Sequence, residues 1–356
     1  MAVFTSAPES LCLLRLSAIG DCCHAVALVQ AIQRQWPETR ITWVTGKIEA
    51  QLLRQLPGVE ILVFDKSAGW GAYRQLWQQL RGRRFDALLH MQAAIRASIA
   101  SLGIRAKYRL GFERERAKDG QWLFTNLKVT ASGEHVADGF MSFGKALGLM
   151  EITPRWNWPI SAEAQSQAAH YLDNRPLLLI CPAASKAYKN WTAEGYAALA
   201  DHAHVRGMKV MLIGSPAKME RDLAANIQQL TANIDENLVG QTSLPELMAL
   251  ISTASLVVAP DTGPAHMATL TNTPVLGLYA HHNPARTGPY HCRDYVVSAY
   301  EEALLAETGN TPDQLPWRTR VKDAHAMERI TIEQVKQQFD RIYTDLVQLK
   351  TVHADK

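Results

Sequence analysis

The sequence predicts an α/β protein built from two doubly wound domains, and three observations predict it. Short apolar runs alternate with stretches of helical length; the alternation stops once, at a Pro- and Trp-rich stretch, and then restarts; and a chain of 356 residues has room for two cores of ordinary domain size. Strands separated by helices of this size form parallel sheets covered on both faces. In the first half the expected strands are 11–16, apolar but for Arg15, then 41–44, 61–64, 87–90 and 108–111, rich in β-branched and aromatic residues. The expected helices between and after them are 22–35, 47–56, 72–81, 93–102 and 135–148. The stretch 152–159 (ITPRWNWP) carries two prolines around bulky aromatics and cannot continue a helix. The second series gives strands at 177–181, 209–213, 238–239, 256–259 and 275–278, with helices at 162–173, 193–206, 217–231, 244–253 and 264–271. Finally, Ile332, Val335, Phe339, Ile342, Leu346 and Leu349 recur at three- and four-residue steps, the stripe of a helix packed on a domain. The expected organisation is therefore 1–151, a linker at 152–161, 162–330, and a closing helix at 331–356.

Composition narrows the function. Hydrophobic residues at 47% and charged residues at 20% are ordinary for a globular chain and exclude collagen-like, disordered and disulfide-scaffold classes. No apolar run reaches the length of a membrane span. The first residues (MAVFTSAPES) lack the basic and apolar regions of a secretory leader. Five cysteines without C-x-x-C spacing fit a reducing compartment. A cytoplasmic location is expected. The net charge of +3 is unevenly spread: residues 1–150 carry 19 Lys and Arg against 12 Asp and Glu, the rest 18 against 22. A basic first half suits an anionic partner, although two independently solvated surfaces would look the same.

Three motifs carry chemistry. In 14–24 (LRLSAIGDCCH) a strand runs through a small-residue turn into a helix beginning near Asp21. Ligands of open parallel sheets sit at the carboxyl ends of strands, so Asp21 lies at a binding edge; composition alone favours a helix cap. His24, three residues on, could assist it, but a packed histidine is the simpler role. The turn is not G-x-G-x-x-G, and a dinucleotide site is unsupported. In 181–191 (CPAASKAYKNW), small residues surround Ser185, Lys186 and Lys189; close backbone approach, a hydroxyl and mobile cations suit a phosphate, the alternative being a solvated basic loop. In 258–268 (VAPDTGPAHMA), a strand enters Asp261-Thr-Gly with Pro264 in the first turn of the next helix. Proline is tolerated there, and the free N–H groups plus the helix dipole make an anion site. A basic segment, 105–118, holds six Lys and Arg in fourteen residues, but it has few aromatics and two interrupting glutamates, so nucleic acid is not the expected partner. No cluster has metal-ligand spacing, and His281-His282 reads as a surface loop.

The three motifs, RLSAIGD, SKxxKxW and DTGxxH in this order, resemble the bacterial lipopolysaccharide heptosyltransferases of glycosyltransferase family 9, over about residues 11–290. The resemblance implies a GT-B fold, two Rossmann-like domains facing a central cleft, with acceptor on the first and ADP-sugar on the second. It implies inverting transfer of L-glycero-D-manno-heptose from ADP-heptose onto the inner core, and the stretch 110–124 (LGFERERAKDGQWLF) is most similar to the type I enzymes, whose acceptor is the Kdo of lipid A. Residue by residue, it makes Asp21 the catalytic base and Lys189 the lysine on the donor diphosphate. Ser185, Lys186, Glu220, Asp261, Thr262, Gly263 and His266 become donor contacts, and Arg114, Arg116 and Lys118 are the acceptor candidates. A lysine loop and a helix terminus can neutralise the leaving group, so no cofactor or metal is expected to be required. The expected surroundings are the inner face of the inner membrane, visited peripherally and without a span. One departure stands out: where many members have Tyr-Gly-Pro, this chain has Tyr279-Ala-His-His-Asn-Pro284, which opens the donor sugar to question. The alternatives are a family 9 transferase for a later heptose or another sugar, a nucleotide-sugar epimerase on a similar scaffold, and a non-catalytic nucleotide-sugar binding protein.

Overall fold

The computed structural model describes residues 2–354, with side chains as far as Leu346, and divides into two compact units, Met1–Pro159 and Ile160–Lys356. The first unit contains β1 (Ser10–Leu14), α1 (Ile19–Gln35), β2 (Arg40–Gly46), α2 (Lys47–Leu53), β3 (Val59–Phe64), α3 (Trp70–Gln79), β4 (Phe85–His90), α4 (Ile95–Ser101), β5 (Ala106–Phe112), β6 (Leu127–Val129) and α5 (Val136–Leu147). Its six strands form one sheet in the order β3-β2-β1-β4-β5-β6, every pair parallel, with Leu11 beside Ile41 on one side and Ala87 on the other. This is the Rossmann order, whose crevice opens between the first and fourth strands. α1 is buried over most of its circumference, from Cys22 through Val29, because it lies on the sheet and also packs along α5. That is why residues 22–29 are, but for His24, all apolar or small rather than striped.

The stretch 152–159 lies on this first unit. Trp156 Nε1 donates to the Cys23 carbonyl at 2.9 Å, Gln30 bonds both the N–H and the carbonyl of Asn157, and Trp156 and Trp158 are buried.

The second unit contains α6 (Ala162–Ala169), β7 (Leu177–Ile180), α7 (Ala193–Val205), β8 (Lys209–Leu212), α8 (Lys218–Leu230), β9 (Glu236–Asn237), α9 (Leu244–Thr253), β10 (Leu256–Pro260), α10 (Gly263–Leu270), β11 (Val275–Tyr279), α11 (Pro284–Thr287), β12 (Val296–Ser298), α12 (Tyr300–Thr308) and α13 (Ile332–Ala354). Its sheet order, β12-β11-β10-β7-β8-β9, repeats the winding of the first with β7 in the place of β1 and β10 in the place of β4. α9 begins where the sequence reading puts it because Ser243 and Glu246 cap each other's backbone N–H groups, at 3.3 and 3.2 Å. On α13, Val335, Phe339 and Ile342 are fully buried against α7 and β12, with Ile332 and Leu346 at the margin. The side chain of Leu349 lies outside the described residues.

The structure corrects several expectations. The strand read at 238–239 pairs at Glu236–Asn237 instead; Leu238 and Val239 are the buried residues just past it, so burial there marks a core-facing turn. The short edge strands β6 and β12, and α12, were absent from the pattern. Their pairing partners lie far away in sequence: Leu127 pairs Leu110 and Val296 pairs Gly277. All five cysteines are free; Cys12, Cys22, Cys23 and Cys181 are buried and Cys292 is half-buried. Burial pushes the Cys12 and Cys181 thiols up to about 12.

Candidate functional site

In the first unit the site grows from the carboxyl end of β1. After Leu14 the chain turns, and the turn is fastened from two sides: Leu16 donates its N–H to Gln92 Oε1 at 2.6 Å, and Gly46 donates to the Leu16 carbonyl at 3.0 Å. Gly46 sits so close that a Cβ would collide with that carbonyl oxygen, so β2 can support the turn only with glycine there. α1 then starts at Ile19, with Ala18 as the capping position. Asp21 thus stands inside the first turn rather than at the capping position itself, but its carboxylate still caps: it reaches back to the Ala18 N–H at 3.5 Å and complements the positive end of the helix dipole. Arg15 forms an ion pair with Asp21 Oδ2. The same guanidinium donates to the Met91 carbonyl at 2.6 Å and lies over the Phe140 ring, 5.4 Å from its centroid. Arg15 is thereby locked, and it presents a carboxylate that keeps 31% of its surface exposed. Asp21 Oδ1 accepts no hydrogen bond among the described residues, which is the state required of a base. His24 is buried, edge-on to His135 at 5.0 Å and near Trp156 at 6.5 Å.

The basic segment divides by role. Arg109, on β5, donates to the carbonyls of Ile104, Ser101 and Phe124 at 2.6–2.9 Å and is a strut of the fold. Arg116 is half-buried, donates to the Gly133 carbonyl at 2.7 Å, and burial draws its pKa down. Arg114 and Lys118 are exposed, Arg114 lying over the Trp122 ring at 5.4 Å. The loop is pinned by Gln121, fully buried, whose Nε2 donates to the His90 carbonyl at 2.8 Å and to His90 Nδ1 at 3.0 Å. Burial, with the nearby Arg109 charge, holds His90 down at about 3, so its ring is neutral.

In the second unit the carboxyl ends of β7, β10 and β11 gather a charged cluster. Lys189, from the loop after β7, places Nζ 2.8 Å from Asp261 Oδ2. His282, just past β11, places Nδ1 2.5 Å from the same oxygen and 3.3 Å from Nζ. His266, on the first turns of α10, places Nε2 3.3 Å from Asp261 Oδ1. Burial opposes ionisation of Asp261, but the hydrogen bonds from His266 and His282 and the Lys189 charge outweigh it and hold the carboxyl well below its usual range. Thr262 caps α10, with Gly263 opening it and Pro264 in its first turn, so the helix end keeps donors for an anion. Ser185 and Lys186 are exposed on the loop. Glu220 is buried and accepts from the Ser215 N–H at 2.7 Å and the Ser215 hydroxyl at 2.5 Å, holding the loop after β8.

Two participants escaped the sequence reading. Arg15 was only a basic residue in an apolar run. The doublet His281-His282, expected as a surface loop, is instead built in: His281 is buried and donates Nδ1–H to the Val321 carbonyl at 3.0 Å, and His282 joins the Asp261 cluster. The available signal was the position immediately after a strand end, where ligand sites of such sheets lie. Among the described residues no group of three or more His, Cys, Asp and Glu has the arrangement of a metal site.

Comparison with known proteins agrees with this architecture. Residues 73–314 match the model of glycosyltransferase family 9 (heptosyltransferase). The chain is 46% identical to lipopolysaccharide core heptosyltransferase OpsX of Haemophilus influenzae over 344 residues, 96% of this chain and 99% of that one. It is 24% identical to lipopolysaccharide heptosyltransferase 1 of Pseudomonas aeruginosa over 78% of this chain and 80% of that one. The structure of the heptosyltransferase WaaC of E. coli with ADP superposes with a TM-score of 0.72 at 19% identity, covering 94% of this chain and 99% of that one.

Proposed function

Because the chain belongs to glycosyltransferase family 9, the heptosyltransferases, we propose that it transfers L-glycero-D-manno-heptose from ADP-heptose, with inversion, to the Kdo of the lipopolysaccharide inner core. The observation that carries the reading is Asp21, a carboxylate held on Oδ2 by the locked Arg15 with Oδ1 left to accept. Oδ1 takes the proton of the acceptor hydroxyl as that oxygen attacks the anomeric carbon; a positioned base of this kind contributes about 10²–10⁴-fold. The bond from the anomeric carbon to the β-phosphate breaks on the opposite face, and the electron pair leaves with ADP. Lys189 neutralises the departing diphosphate, and the N–H groups at the start of α10, with Thr262 and Gly263, hold its oxygens. Ser185, Lys186 and Glu220 complete the donor contacts. The positive charge of Lys189 and Lys186, with the N-terminal end of α10, lets the reaction run without a metal or other cofactor. On the acceptor side the exposed Arg114 and Lys118 suit the anionic Kdo and lipid A phosphates, while Arg116 supports their loop. We also assign to this loop a peripheral contact with the cytoplasmic face of the membrane: no helix among the described residues is long and apolar enough to cross one, and exposed Trp122 lies under Arg114 with exposed Leu123 next in the chain.

The experiment is transfer from ADP-heptose to Kdo-lipid A by wild type and Asp21→Ala, with ADP binding measured on both. The expected result is product from the wild type, a fall of about 10²–10⁴-fold in the variant, and unchanged ADP affinity. A variant that keeps its rate removes Asp21 as base. A wild type that ignores Kdo-lipid A but extends an acceptor already carrying heptose assigns the later step.

A further inference from the structure

The proposed role of Lys189 requires its charge, now paired with Asp261, to be shared with or given up to the diphosphate. Its ammonium is 2.8 Å from Asp261 Oδ2, and Asp261 keeps only 14% of its side-chain surface exposed. A sheltered carboxylate stripped of its cation is strongly unfavourable, so releasing the lysine to a diphosphate would be opposed unless something else satisfies Asp261. The second group already on Oδ2 is His282. An ionised carboxylate can only accept, and Nδ1 at 2.5 Å therefore carries a proton; by the same argument His266 donates Nε2–H to Oδ1.

The two partners of Oδ2 are held differently. Lys189 carries its ammonium at the end of a long side chain that closes the short turn 187–189, with exposed Ser185, Lys186 and Ala187 before it and half-buried Tyr188 and Asn190 on either side. His282 is in a bridge with Arg320, next to His281, which exchanges backbone and side-chain hydrogen bonds with Val321 at 3.0 Å and packs edge-on to Tyr188, ring centroids 4.6 Å apart. We infer that His282 is a positioning residue that takes over the Asp261 carboxylate, so that Lys189 can pass to the diphosphate of the donor. Its effect reaches ADP through Lys189 and requires no contact between the imidazole and the nucleotide. The inference rests on the reading that Lys189 binds that diphosphate.

The test is a double-mutant cycle on the full chain, with ADP as the probe and calorimetric affinity as the readout. His282→Ala is expected to weaken ADP about tenfold in the wild-type background and less than about twofold in Lys189→Ala, the non-additivity of groups that act as a unit. His282→Asn, whose amide N–H can stand near the position of Nδ1, is expected to retain affinity within about threefold; this rescue separates the role from a merely structural one. Equal losses from His282→Ala in both backgrounds, or no loss in the wild type, overturn the inference alone. If Lys189→Ala binds ADP as tightly as the wild type, the donor reading itself fails and takes the inference with it.

Discussion

His90 illustrates how much a single side chain reports about its surroundings. It ends β4 fully buried, with Nδ1 accepting from the Gln121 amide, so the proton of its neutral ring is on Nε2. Its ordinary value of 6.5 falls to about 3, which means that the unfolded chain binds a proton in the acid range and the folded chain does not. Stability is therefore complete above 6.5 and declines as the pH falls below it, by about 1.4 kcal/mol per pH unit until the folded value is reached. Urea unfolding of the wild type and His90→Gln from pH 7 to pH 4 is expected to give a wild-type slope steeper by about that amount. Equal slopes would mean that the ring is solvated. Residue by residue, legibility followed distance in sequence. Asp21, Lys189, Asp261 and His266 each stand in short motifs at strand ends, where sheet geometry alone implies ligands. Arg15 and His282 acquire their roles from Met91, Phe140, Asp261 and Arg320, partners from 21 to 125 residues away in the chain, and no local pattern announces them.

At the scale of elements, the loop 113–123 is defined by what fixes it and what it leaves out. Gln121 and Arg116 tie it to β4 and to Gly133, while Arg114, Lys118, Trp122 and Leu123 remain at the surface. If the assigned membrane contact is correct, flotation with anionic vesicles recovers the protein at low ionic strength and loses it at high salt, because attraction between exposed charges is screened over about 8–10 Å. Arg114→Glu with Lys118→Glu should abolish recovery at any salt. Binding that persists through both changes would place the contact elsewhere. The central strands and most helices could be read from the sequence because each carries its own apolar run or period. β6 and β12 could not: strands of three residues at a sheet edge hold too few side chains to make a pattern, and they exist through the neighbours they pair with. α13 was legible from its stripe, but its docking on α7 and β12 is a tertiary fact.

For the whole molecule, the informative feature is the winding used twice. Both sheets follow the same strand order, so the turn bearing Asp21 after β1 and the loop bearing Lys189 after β7 are equivalent positions in their own units, each beside the crevice next to the fourth strand. The proposed division of labour, base in one unit and diphosphate grip in the other, uses the same topological opportunity with different side chains. The alternation around 152–159 made the doubling visible in the sequence. That this stretch belongs to the first unit depends on Trp156 reaching the Cys23 carbonyl, which composition does not reveal.

The thiols make the two units chemically distinguishable. Three of them, Cys12, Cys22 and Cys23, lie in the first unit and are sealed; Cys181 is sealed in the second, where Cys292 alone is half-buried. A thiol reagent added to the native chain should therefore modify Cys292 first, slowly, since burial also raises its pKa. Under rising denaturant the order of labelling becomes a record of which unit opens. Early appearance of Cys12, Cys22 and Cys23 together, followed by Cys181, would identify the first unit as the weaker one; the reverse order would identify the second; simultaneous appearance of all four would mean that the units unfold as one. Peptide mapping after timed alkylation reads this history directly, with no substitution introduced into the chain.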